Sequence, residues 1–178
     1  MDDTDDVVAR WVRPGGQHVA QARTRVTARL RRLGVSVERL GDAEIMASEL
    51  ATNALRHGAG PVAVLAWPSD LGCVVVEVHD AGRTRPVLPS PIDPADVDAP
   101  AGSGWGLPMV TALARQRCGV AELPDGGKSV WFALPLSELF PPQPVLAGLV
   151  CARTWARSVL PAQGELRVRP QPSGLTAG

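Results

Sequence analysis

Glu49, Asn53 and His57 are spaced four residues apart in "SELATNALRHG" (48–58), so on a helix of 3.6 residues per turn they form one stripe. A carboxylate can take a proton from a hydroxyl, an amide oxygen suits a hard cation, and an imidazole can do acid–base work. Ala47, Ala51, Ala54 and Leu55 fall on the other side, so the same pattern also describes an ordinary amphipathic helix with a wet face. His57 has a further simple reading, as a residue that packs against or caps its helix end.

Two other stretches bear on that choice. In "CVVVEVHD" (73–80) Val74, Val76 and Val78 share one side of a strand, and Asp80 continues it. If the valine side faces the core, Asp80 points inward, which is costly unless donors meet it. The alternative is an Asx-type bond that starts the turn at Ala81 and Gly82. Val75, Glu77 and His79 face the other way, and His79 is expected to be exposed. Gly102, Gly104 and Gly106 in "GSGWGLPMV" permit positive φ and close approach of a ligand to backbone. They lead into a helix N-terminus, where free N–H groups favour phosphate; a flexible hinge would have the same composition. No GxxxxGK(S/T) loop is present and no βαβ pattern surrounds the glycines, which excludes Walker-type and Rossmann sites.

The elements that must position these residues follow from periodicity. Residues 7–13 read as an edge strand stopped by Pro14, Gly15 and Gly16. Val19, Val26, Leu30 and Leu33 predict a helix over 19–33, and a second helix is expected over 42–57 with Gly58 as its stop. Strands over 62–67 and 73–80 flank a turn at 68–72. Residues 81–103 hold five prolines and no periodicity, as a lid would. A helix with Leu107, Val110, Leu113 and Ala114 on one stripe follows, Pro108 being tolerated in its first turn, and "CGVAEL" and "KSVWFALPL" close a hairpin. This order predicts an α+β fold: a two-layer sandwich with helices on one face of a mixed, mostly antiparallel sheet. Residues 1–18 form an N-terminal segment, 19–135 the domain, and 136–178 an extension. That extension has a possible helix over 145–160, to dock or to stay solvated, before a Pro- and Gly-rich tail expected to be flexible.

At 178 residues the chain suits one domain with a proper core, and 18 basic residues balance 18 acidic ones. That balance gives no reason to expect nucleic acid or a membrane surface as partner. The acidic "MDDTDD" start is unlike a secretory signal and no apolar run could span a bilayer, so a cytoplasmic protein is expected. Cys73, Cys118 and Cys151 lack metal-ligand spacing and are expected reduced and mostly buried. Lys128 is the only lysine.

Taken in order, "ELATNALRHG", "VEVHDAG", "GSGWGLPMVTALA" and "GKSVWFALP" resemble the GHKL-type ATP-binding domain shared by gyrase, Hsp90-type chaperones, histidine kinases and MutL, which has the Bergerat fold. Within that group the chain is most similar to the small anti-sigma regulatory factors of the serine-protein kinase type found in actinobacteria. The resemblance covers residues 7–135 and implies ATP and Mg²⁺ as cofactors. It implies that Asn53 holds the metal, that Asp80 accepts from the adenine amino group, and that Gly82 lets backbone pass close to the base. Gly102, Gly104 and Gly106 would shape the phosphate side, with Leu107 packed beneath. Glu49 resembles the family's general base, a carboxylate that histidine kinases generally lack. Too little chain precedes it here for their phospho-accepting helix. The partners implied are a sigma factor and its antagonist, the protein's kinase substrate, and a homodimer is also implied; the alternative is a nucleotide-responsive binding module with little or no kinase activity. The pattern departs from the family at "AGRTRP", where only Asp80 and Gly82 of a longer DxGxG remain, and at Trp105, between two loop glycines. Arg83 and Arg85 are the cations nearest the lid, for phosphate or as ordinary loop charge.

Overall fold

The computed structural model describes residues 6–88, 105–138 and 140–156. β1 (Val7–Trp11) precedes two helices, α1 (Gln17–Arg32) and α2 (Val37–His57), followed by the hairpin of β2 (Val62–Ser69) and β3 (Cys73–Asp80). α3 (Gly106–Leu113) leads into a second hairpin, β4 (Cys118–Glu122) and β5 (Lys128–Pro135), and α4 (Gln143–Ala156) ends the described chain. α2 begins five residues before the expected start. Gly41 reads as a helix breaker, yet it lies within the helix while Leu40 and Ala43 on either side are buried, and packing outweighs its low propensity. No helix among the described residues is long and apolar enough to cross a membrane.

The strands form one sheet in the order β1-β2-β3-β5-β4, and every neighbouring pair is antiparallel. The fold is α+β as expected, but no parallel pair occurs among the described residues. β4 runs in the same direction as β3, yet β5 folds back from it and inserts between the two, so the crossover through α3 creates no parallel contact. One face carries Val64, Ala66, Val74, Val76, Val78, Val130 and Phe132 against the buried stripes of α1, α2 and α3. Ala43, Ala47, Ala51 and Ala54 line the buried side of α2 and let its backbone approach the sheet closely.

The second face is also covered. Leu146 and Val150 of α4 pack on Leu65, Trp67, Val75, Leu123 and Trp131, so helices lie on both faces and not on one. This corrects the expectation for His79. Strand alternation does turn it away from α1–α3, but α4 takes the place of solvent there and His79 is 1% exposed. Glu77, beside it, is the centre of a buried network. Its carboxylate accepts from Trp67 Nε1 (2.7 Å), Ser129 Oγ (2.7 Å) and Thr154 Oγ1 of α4 (3.1 Å), and lies 2.9 Å from His79 Nε2. Arg153 of α4 stacks on the Trp67 ring, 4.3 Å from its centroid, and bonds Asp6, which also faces Arg29 of α1 at 3.6 Å. Of the cysteines, Cys73 and Cys118 are buried and Cys151 is exposed; all three are free.

Burial raises the Glu77 pKa, but hydrogen bonding from His79 and its proximity, with Ser129 and Trp67, outweigh this and leave the pKa below the ordinary 4.5. A carboxylate with a lowered folded pKa stabilises fully above its unfolded value and loses that contribution as pH falls through the folded one. Glu77→Gln is therefore expected to flatten the fall of stability below pH 4.5, measured by urea unfolding across pH. Glu77→Ala strands several buried donors and is expected to cost about 3–5 kcal/mol at neutral pH.

Candidate functional site

The stripe on α2 borders a cavity of about 580 Å³, within the usual size of a small-molecule site. Glu49, Asn53, Arg56 and His57 supply one wall. Thr84, Pro86 and Val87, after β3, form a second, and Gly106, Leu107 and Pro108 at the start of α3 a third. Helical spacing thus brings Glu49, Asn53 and His57 onto one surface, as the sequence implies, and that surface faces a concavity. Leu107 also packs against the main core. Gly102 and Gly104 lie outside the described residues, so of the three loop glycines the structure places Gly106 alone. A Cβ there would fall 2.5 Å from Glu49 Oε2; bare backbone is what lets the carboxylate stand at the mouth of α3.

Asp80 ends β3 and is fully buried, bonded to Lys128, which lines the cavity. Both readings of it hold together. Its Oδ1 accepts Gly82 N at 2.8 Å, an Asx-type bond, while the carboxylate points to the core face beyond Val78. Gly82 and Gly58 close over it. A Cβ on Gly82 would lie 2.8 Å from both Asp80 Oδ1 and Lys128 Nζ, and one on Gly58 would overlap Ala54 O and come within 2.7 Å of the carboxylate. Gly58 therefore does more than stop α2.

Lys128 is the residue that sequence reasoning missed. Its ammonium donates to Asp80 Oδ1 at 2.7 Å and to Gly82 O at 3.2 Å, its side chain is 1% exposed, and it lines the cavity. The signal was present in the turn "PDGGK". It makes Lys128 the first residue of β5, and antiparallel pairing with β3 sets it opposite Asp80. Arg83 and Arg85 are both exposed and neither lines the cavity; Arg85 pairs with Glu122. Among the described residues, the cationic groups on the cavity wall are Arg56 and Lys128.

Two polar atoms here are buried without partners among the described residues: Asp80 Oδ2, an acceptor, and Asn53 Nδ2, a donor. Interiors rarely leave such groups unmet, so they mark where a bound molecule or water completes the site. A nucleotide fits them. Asp80 Oδ2 is free for an exocyclic amino group. Asn53 Nδ2 would donate to a phosphate oxygen, and the Oδ1 of the same amide would be a hard ligand for Mg²⁺, which commonly takes its other ligands from phosphate and water.

The Asp80–Lys128 pair should matter for folding. Lys128→Ala leaves a buried unpaired carboxylate and is expected to cost about 3–5 kcal/mol. Asp80→Asn with Lys128→Met removes both charges and should recover much of that loss. Denaturant unfolding of the two singles and the double checks this; simply additive losses would show that the two groups do not interact.

The family model of the histidine kinase-like ATPase domain matches residues 12–134. Among solved structures, the Erythrobacter litoralis EL346 blue-light activated histidine kinase is 23% identical with a TM-score of 0.43, over 65% of this chain and 41% of that one. The histidine kinase domain of the same protein gives 23% identity and 0.42, over 73% and 64%. The chain thus spans less than two thirds of either structure. No curated protein matches it. The matched residues run from just after β1 to the penultimate residue of β5 and take in every described wall of the cavity, and on that match the chain belongs to the histidine kinase-like ATPase domain family.

Proposed function

We propose that the chain binds ATP with Mg²⁺ and acts as a serine-protein kinase that also sequesters a sigma factor, phosphorylating the antagonist that would displace it. One observation carries the catalytic part: Glu49 and Asn53 stand one helical turn apart on the wall of a cavity also lined by Lys128, whose ammonium bonds a buried carboxylate, Asp80, with an oxygen unpartnered among the described residues. ATP supplies the γ-phosphoryl group. Asn53 holds the metal, Asp80 accepts from the adenine amino group, and Arg56 offsets phosphate charge. Glu49 takes the proton of a substrate serine as its oxygen attacks, and the start of α3 beside it supplies backbone N–H groups. Gly106 keeps that approach open, and Leu107 anchors the helix in the core. Sigma-factor and antagonist binding, and a homodimer, rest on the resemblance of the ordered motifs to anti-sigma factors. A second reading, a nucleotide-responsive binding module with little or no transfer, is favoured by the shortened motif after Asp80, where Arg83-Thr84-Arg85 follows Gly82.

Phosphoryl transfer from ATP to serine on antagonist proteins captured from the native extract separates the two readings. Glu49→Ala is expected to lower transfer by about 10²-fold or more while leaving ATP affinity nearly unchanged. Transfer that survives the change would remove Glu49 as the base. Asn53→Ala is expected to abolish the dependence of ATP affinity on Mg²⁺, measured by isothermal titration with and without the metal.

A further inference from the structure

Lys128 has hydrogen-bonding capacity left over. Two of its three N–H groups are engaged, by Asp80 Oδ1 and Gly82 O. Asp80 Oδ1 is occupied twice, by Lys128 Nζ and Gly82 N, whereas Oδ2 has no partner among the described residues. One donor and one acceptor therefore remain on a single buried ion pair, and Lys128 lines the cavity. Such a pair is stable in the interior only when its remaining groups are met.

We propose that Lys128 is a base-reading residue, which with Asp80 takes the Watson–Crick edge of adenine. Nζ donates to N1 while Oδ2 accepts from the 6-amino group. The inference rests on the nucleotide reading above and adds to it both a second contact and a reason for base choice. In the same pose guanine presents the reverse polarity, an O6 acceptor facing Oδ2 and an N1–H donor facing Nζ. Lys128 and Gly82 have already taken Oδ1, so in that pose guanine would set Oδ2 against an acceptor and Nζ against a donor, both buried and unmet. The same ammonium that stabilises the carboxylate thus narrows what the carboxylate can read.

The test uses the full chain and needs no mutation at its core. Affinities for Mg-ATP, Mg-GTP, 1-deaza-ATP, which lacks the N1 acceptor, and 7-deaza-ATP, which keeps it, are measured by isothermal titration or by displacement of a fluorescent nucleotide. The 1-deaza analogue and GTP are each expected to bind about tenfold or more weakly than ATP, and 7-deaza-ATP within about threefold of it. In Lys128→Met, with folding checked by circular dichroism, the 1-deaza penalty should shrink to under about threefold and GTP should gain on ATP. ATP binding with no 1-deaza penalty, or with an equal penalty for 7-deaza-ATP, overturns the inference alone. GTP binding as tight as ATP overturns the exclusion of guanine. Absence of ATP binding overturns the nucleotide reading and the inference with it. Should Lys128→Met fail to fold, the analogue series on the unaltered chain decides.

Discussion

A carboxylate carried into the interior at the end of a strand has to be answered there, and the ends of β3 and β5 are organised around that demand. Asp80 lies beyond three valines that press against the helices, shut off from bulk solvent. Lys128 answers it from the facing strand, which it can do only in the observed antiparallel register. The two charges leave little room around them, so backbone without side chains closes the space at Gly58 and Gly82. An interaction of this kind is poor value for stability compared with an apolar replacement, which suggests why such pairs are found where a ligand is read.

β3 is where the two halves of the molecule meet. Its alternate residues look in opposite directions: Val74, Val76, Val78 and Asp80 toward the layer of α1–α3, Cys73, Val75, Glu77 and His79 toward α4. β5 repeats the arrangement with consecutive residues, Lys128 bonding Asp80 on one face and Ser129 bonding Glu77 on the other. The sheet thus carries a buried carboxylate on each face, and β5 supplies a donor to each.

Periodicity made much of this legible. The four-residue spacing of Glu49, Asn53 and His57 survives folding because a helix preserves it, and the inward turn of Asp80 survives because a strand alternates. What could not be read is what depends on a third element. Lys128 reaches Asp80 across 48 residues of chain, by a pairing that topology decides. The burial of His79 depends on α4, whose apolar stripe of Leu146 and Val150 equally suited a solvated helix on sequence grounds. The early start of α2 was hidden by Gly41, whose local preference yields to its buried neighbours. Gly102 and Gly104, read from sequence as phosphate-side residues, lie outside the described residues.

The cover that α4 gives the second face separates the unit that reads as a family from the unit that folds. The family match ends at residue 134, and a chain cut there would retain every described residue of the cavity. It would also strip the roof from Trp67 and Trp131, remove the Thr154 hydroxyl from Glu77, and turn a row of apolar side chains into a sticky outer surface. Recombinant work on the family-matched segment alone would then report on aggregation before it reported on ligand binding.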